Sequence, residues 1–341
     1  MKKIKSASWL IAALFVSVFS ACKPDEDVKV ETENFEGVIV VNEGGFGKSN
    51  GSVGVFKPGT GDYFDAFRKA NGRPLGDVVQ SVTLINDKFY IVVNNSNKIE
   101  VVNKSDFKSV TTITVTQPRY VLPVGSGKAY ISQMNSQVIA VLNTNTNTIS
   151  KNIDVKSATD NMAVMNGRVY AGKAFGDRIY VINDTTDVVV DSIIVGKGVS
   201  NIVNISSDRI AVLCSGLPSV ENGKIAFINK DSAKVERKVD FTSGSYSGVM
   251  DYYNGNLYYS FGDGKVYSIA STATAPAASP SITLSSGSVY GLNIDRSNGD
   301  RYICDATDFN SAGKVYIYNN SDDLVRQFST GIAPSKVIFN K

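Results

Sequence analysis

The 341-residue chain contains no histidine. That removes the commonest general base and imidazole metal ligand. Neither a Ser-His-Asp nor a Cys-His arrangement can be built from it, and no His-based zinc site. Gly47-Lys48-Ser49 looks like the end of a phosphate-binding loop, but Asn42 stands where that motif needs glycine. The segment also joins two β runs instead of opening a helix. Asp305, Asp308 and the pair Asp322-Asp323 lack EF-hand spacing, and aspartates in β-turns serve local hydrogen bonding. No other acidic constellation suggests a metal held by carboxylates. The expectation is therefore a protein that binds without catalysing, with no resident metal or cofactor.

The elements that would position a binding site repeat. Lys88–Thr114, Lys128–Asp154 and Arg168–Ile194 align with a constant offset, and Tyr90, Tyr130 and Tyr170 recur every 40 residues. A fixed period of this size signals a repeat architecture whose units cannot close a core alone. Each unit reads as a β run, a polar turn, a second β run ending in Asn, and a third. Less regular copies lie at Arg209–Val239, Asn256–Ile269 and Asp300–Phe328, and a diverged one at Gly37–Phe67, making seven. Before six of them lies a further short apolar run: Ser81–Ile85, Tyr120–Val124, Met162–Met165, Asn201–Asn204, Gly248–Met250 and Tyr290–Ile294. The first copy lacks this strand, whereas Lys336–Phe339 is an orphan at the other end of the chain. The reading is an all-β, seven-bladed β-propeller with four-stranded blades, its ring closed by the C-terminal strand joining the first blade. A β-sandwich would explain neither the period nor the orphan strand. Asn166-Gly167, Asn254-Gly255 and Asn298-Gly299 each precede the second strand of a blade and predict tight hairpins.

Residues 1–21 read as a targeting segment: Lys2, Lys3 and Lys5 precede an apolar stretch, Ala7–Phe19, too short to span a membrane comfortably. Phe19-Ser20-Ala21-Cys22 resembles the lipobox of bacterial lipoproteins, with Phe in place of the usual Leu. That resemblance implies cleavage before Cys22 and its lipidation, the alternative being ordinary secretory cleavage beside an unrelated cysteine. Residues 22–36 read as an acidic, solvated tether, and 37–341 as the propeller. Taking the three leader lysines from 35 Lys+Arg leaves 32 basic against 32 acidic side chains, so no electrostatic footprint for nucleic acid remains. Cys214 and Cys304 fall on non-neighbouring blades and are expected to be buried and unpaired.

Long insertions on one face of a repeat scaffold mark an interaction surface. The second-to-third strand loops are short in three blades but long at Asn42–Ser52, Ser215–Gly223 and Asp305–Gly313. They carry Glu43, Phe46, Leu217, Asp308 and Phe309. Loops entering the inner strands bring Gln80, Arg119, Tyr120, Asp160, Asn161, Asn201, Tyr246, Ser247, Tyr290 and Ser335 to the same mouth. Amides, hydroxyls and aromatics in this mixture suit a large amphipathic ligand.

The segment KAYISQMNSQVIAVLNTNTNTISKNIDV (Lys128–Val155) resembles the YVTN, or YncE-like, propeller repeat, and Ile194-Val195-Gly196 matches that repeat's ending. With the lipobox and an acidic tether resembling a surface-export signal, the chain looks like the surface propeller lipoproteins of Bacteroidetes. Their BtuG-type members capture cobalamin for a TonB-dependent outer-membrane transporter; others are surface-layer proteins. The resemblance implies a monomeric, lipid-anchored, non-enzymatic receptor at the cell surface, with a corrinoid as ligand and not as cofactor. The competing expectation is a protein–protein scaffold or surface-layer component. Absence of histidine does not count against a corrinoid, which can be held through its peripheral amides.

Overall fold

The computed structural model describes residues 35–230, 234–245 and 247–340. The leader, Cys22, the tether up to residue 34, and Tyr246 lie outside the described residues. Seven four-stranded antiparallel sheets form the blades, as the repeat predicts. Their inner strands are Pro334–Asn340 for blade one, then Val79–Ile85, Pro118–Pro123, Thr159–Met165, Val199–Asn204, Val249–Tyr253 and Gly291–Ile294 for blades two to seven. The C-terminal strand pairs with Gly37–Asn42, opposing Val41 to Lys336 and Gly37 to Asn340. First and last segments thus share one sheet.

Burial explains the pattern of side chains. Second strands such as Lys88–Val93 and Lys128–Gln133 are buried along nearly their whole length because a neighbouring blade covers each face. Outer strands such as Thr148–Asp154 and Val188–Ile194 are largely exposed. The repeated tyrosines mark the contacts between blades. Tyr90 donates to Asn147 Oδ1 at 2.6 Å, and Tyr130 donates to Asp187, each reaching the outer hairpin of the next blade. Both acceptors sit in the left-handed region, at φ 57° and 56°, which Asn and Asp tolerate better than most residues.

Inner strands are also stitched to one another. Ser81 Oγ donates to Arg119 O at 2.7 Å and Asn161 Nδ2 to Ser200 O at 2.8 Å. Asn201, Asp251 and Asn293 each accept a backbone N–H from the following blade, at 3.1, 2.8 and 2.7 Å.

Local departures have local causes. Asn166-Gly167 and Asn254-Gly255 have positive φ at both residues, the two-residue hairpin expected. At Asn298-Gly299 only the glycine does, and both N–H groups point to Asp295 O in a longer turn. Asp295 and Asn298 side chains organise that turn through Ser297 N and Asp300 N, each at 3.0 Å. Blade one's outer strand has only three residues before the helix Ala66–Asn71, capped by Asp65, whose carboxylate accepts from Arg68 N at 3.0 Å. Blade six has a two-residue outer strand, Ile282–Thr283. Phe35, which its acidic surroundings placed in the tether, is buried against Phe64 and Phe107. Cys214 and Cys304 are free and buried.

Candidate functional site

The inner strands converge on a funnel at one end of the ring, with a cavity of about 710 Å³. Its side chains are aimed by a repeated irregularity. In blades two to five, pairing slips near the funnel end of the inner strand: between Val79 and Ser81, Pro118 and Val121, Thr159 and Met162, Val199 and Asn201. A bulge leaves residues outside the ladder and turns their side chains. Gln80, Arg119-Tyr120, Asp160-Asn161 and Ser200 are the residues released, and all line the cavity.

Arg119 and Asp160 form a forked pair, Nη2–Oδ2 at 3.0 Å and Nε–Oδ1 at 3.3 Å, while Nη1 donates to Gln80. Burial alone would lower the Arg119 pKa, but Asp160 and Tyr120 outweigh it and hold the guanidinium charged. Opposite, Tyr290 Oη donates to Glu43 Oε2 at 2.8 Å. Burial raises the Glu43 carboxyl above its usual range, against the opposing pull of Tyr290 and Arg119. The Tyr290 hydroxyl is itself pushed up by burial and by Glu43, so it stays a donor. Burial, aided by Asp160, pushes the Tyr120 hydroxyl up to about 12. Lys336 Nζ lies 5.0 Å from the centre of the Tyr120 ring, and burial lowers its pKa.

The structure brings together Glu43, Phe46, Gln80, Arg119, Tyr120, Asp160, Asn161, Asn201, Ser247, Tyr290 and Ser335 around the cavity. Phe309 stands behind this ring, edge-on to Tyr290 at 4.9 Å. Asp308 does not join them. Its exposed carboxylate accepts from Asn310 N at 2.9 Å and from Ser311 N and Oγ at 2.7 and 3.0 Å, which hold it down at about 2. Leu217 closes its own loop through Glu221 O at 2.8 Å. Lys336, Asp251, Asn293 and Phe175 line the cavity without having been singled out from the sequence. Phe175 sits in a short second-to-third loop of blade four, where loop length gives no signal. The Gly47 N–H, in the loop resembling a phosphate-binding motif, is taken by Asp77 at 3.0 Å.

The sequence profile of a domain of unknown function, DUF5074, matches residues 36–322. The chain belongs to that family. No functionally curated protein matches it. Solved structures extend the fold of this DUF5074 propeller to distant proteins. A quinonprotein alcohol dehydrogenase-like protein, BT1487 of Bacteroides thetaiotaomicron, superposes with a TM-score of 0.72 at 16% identity, over 91% of this chain and 79% of that one. Kuenenia stuttgartiensis hydrazine synthase gives 0.62 at 16% identity, covering 77% and 92%. The dihydro-heme d1 dehydrogenase NirN gives 0.59 at 10% identity, covering 91% and 76%. At these identities the likeness is one of fold. The DUF5074 propeller shares with them a ring, and its funnel residues must be read on their own chemistry.

Proposed function

We propose that this protein is a non-enzymatic, lipid-anchored receptor of the cell envelope. It captures a bulky amphipathic nutrient in the funnel, most specifically a corrinoid, and delivers it to a TonB-dependent outer-membrane transporter. The observation that carries the reading is the funnel's division of labour. Its walls present amide, hydroxyl and charged groups, while Phe46 and Phe175 stand 79% and 86% exposed at its lining. Large exposed aromatics grouped around a polar cavity are the pattern of a binding rim. A cavity of about 710 Å³ is in the small-ligand range of roughly 300–1,000 Å³. A corrinoid would seat its amide-bearing edge inside and lay its body against the aromatic rim. The lipobox-like Phe19–Cys22 supports the anchor, and the YncE-like repeat supports kinship with BtuG-type surface lipoproteins.

Titration of the purified protein with cyanocobalamin, followed by calorimetry and by the visible spectrum, tests this. One-to-one binding supports the receptor; no heat and no spectral change at high micromolar corrinoid overturns the corrinoid assignment. A scaffold or surface-layer role is favoured by one feature, the exposed Val188, Val190 and Ile194 on the outer strand of blade four. Unprotected apolar strand edges promote self-association. Ordered assembly abolished by Val190→Lys, without corrinoid binding, would support that second reading.

A further inference from the structure

Lys336, on the inner strand of blade one, sets its ammonium over the ring of Tyr120 on blade three. The carboxylates acting on it electrostatically, Asp251 and Asp160, belong to blades six and four. An ammonium that contacts blade three and feels blades four and six reaches in toward the ring axis, inside the funnel.

The other charges lining the cavity are matched by close partners. Arg119 and Asp160 hold each other, and Glu43 accepts from Tyr290. Asp251 accepts from Ile294 N and Tyr252 N, both at 2.8 Å, and from Arg296. Lys336 makes no hydrogen bond or ion pair among the described residues; its close partner is the aromatic face of Tyr120. Next to it, the Ser335 hydroxyl makes no well-formed hydrogen bond among the described residues, although it lies close enough to Glu43 to pull that carboxyl's pKa down. Holding an ammonium at the protein interior with its carboxylates beyond ion-pair reach is costly, as is leaving a buried hydroxyl poorly bonded. Both deficits are relieved by one kind of guest.

We infer that Lys336 and Ser335 form an anion subsite inside the funnel, taking the carboxylate or phosphate group of the captured molecule. This deepens the receptor reading and rests on the funnel being a ligand site. The aromatic rim would hold the ligand's body while the ammonium fixes which end enters first. Burial lowers the Lys336 pKa, and an anion seated beside it would raise it again.

The test is a lysine footprint on the full-length protein. Acetylation by acetic anhydride is followed residue by residue by mass spectrometry, with inorganic phosphate, succinate or chloride at constant ionic strength. Phosphate or succinate is expected to slow modification of Lys336 severalfold relative to chloride, leaving the exposed Lys48 unchanged. Protection by phosphate alone assigns a phosphate-bearing ligand, and by succinate alone a carboxylate-bearing one. Protection by neither overturns the subsite. In calorimetry the protecting anion should bind roughly tenfold more weakly to Lys336→Gln, the scale of a lost charged hydrogen bond, while Lys336→Arg retains binding. If Lys336→Gln fails to fold, the footprint on the natural protein still decides. Phosphate protection without cyanocobalamin binding keeps the subsite and removes the corrinoid. Cyanocobalamin bound equally by both variants, with no protection, keeps the receptor and removes the subsite.

Discussion

The Tyr290 hydroxyl donates a 2.8 Å hydrogen bond to Glu43, joining residues 247 positions apart across the seam between the last blade and the first. It places a hydrogen-bonded carboxyl at the funnel wall, facing Arg119 and Asp160.

Because burial raises the Glu43 pKa above its ordinary value of 4.5, the folded protein binds a proton there more tightly than the unfolded chain. Its contribution is complete below that ordinary value and is lost as pH rises through the folded pKa. Glu43→Gln, which keeps the size and removes the titration, is expected to be more heat-resistant than the natural protein at pH 7. The gap should close toward pH 4. Thermal scans from pH 4 to 8 check the sign; a gap that widens on acidification would refute it.

Glu100 behaves in the opposite sense. Burial would raise its pKa, but Ser109, Arg73 at 2.6 Å and Lys98 at 3.1 Å outweigh it and lower it. A depressed carboxyl stabilises above its unfolded pKa and loses that contribution as pH falls through the folded one. Glu100→Gln should cost about 1–3 kcal/mol at pH 7 and less in acid. Urea melts at pH 7 and pH 4 measure both.

The blade-crossing tyrosines predict a graded series. Tyr90→Phe should cost about 1 kcal/mol, the net worth of a neutral hydrogen bond, and Tyr130→Phe about 2 kcal/mol because Asp187 is charged. The Tyr170 hydroxyl makes no well-formed hydrogen bond among the described residues and has Arg168 as its only polar influence, so Tyr170→Phe should cost the least of the three, close to nothing. Equal losses at all three sites in chemical denaturation would contradict this ordering.

Ring closure can be tested by removing the closing strand. A chain ending at Ala333 loses Val337 from the core and the whole pairing of Gly37–Asn42 with the closing strand. It is expected to lose cooperative unfolding and to aggregate through the bared edge of Gly37–Asn42. A synthetic peptide of residues 334–340 added during refolding should restore part of the folded signal by circular dichroism.

The architecture was readable because interface residues repeat: a side chain that crosses to the next blade must recur once per blade, as Tyr90, Tyr130 and Tyr170 do. The polar mouth was readable for a related reason, since Gln80, Arg119 and Asp160 occupy matching places on successive inner strands. Lys336 was not, although its strand and the adjacent Ser335 were, because a lysine at a strand start reads as solvated unless its reach across the ring to Tyr120 is known. Asp308 misled because its loop is long; that length serves a self-capped turn. The Glu43–Tyr290 contact depends on the ring closing and leaves no local sequence signature. The short outer strand of blade six follows its Ala-, Pro- and Ser-rich preceding segment, which offers little to a ladder. Arg237 instead grips that segment, donating to Ser271 O at 2.6 Å.

The pairing of Phe35 with the closing strand fixes an orientation. Asn340 Nδ2 donates to Phe35 O at 3.0 Å, at the end of Gly37–Asn42 remote from Glu43. Six residues of strand separate that end from the funnel, about 20 Å at the usual rise. The polypeptide therefore enters the ring at its back. Residue 35 and the cavity mouth occupy opposite faces of the propeller, so whatever meets one face leaves the other free.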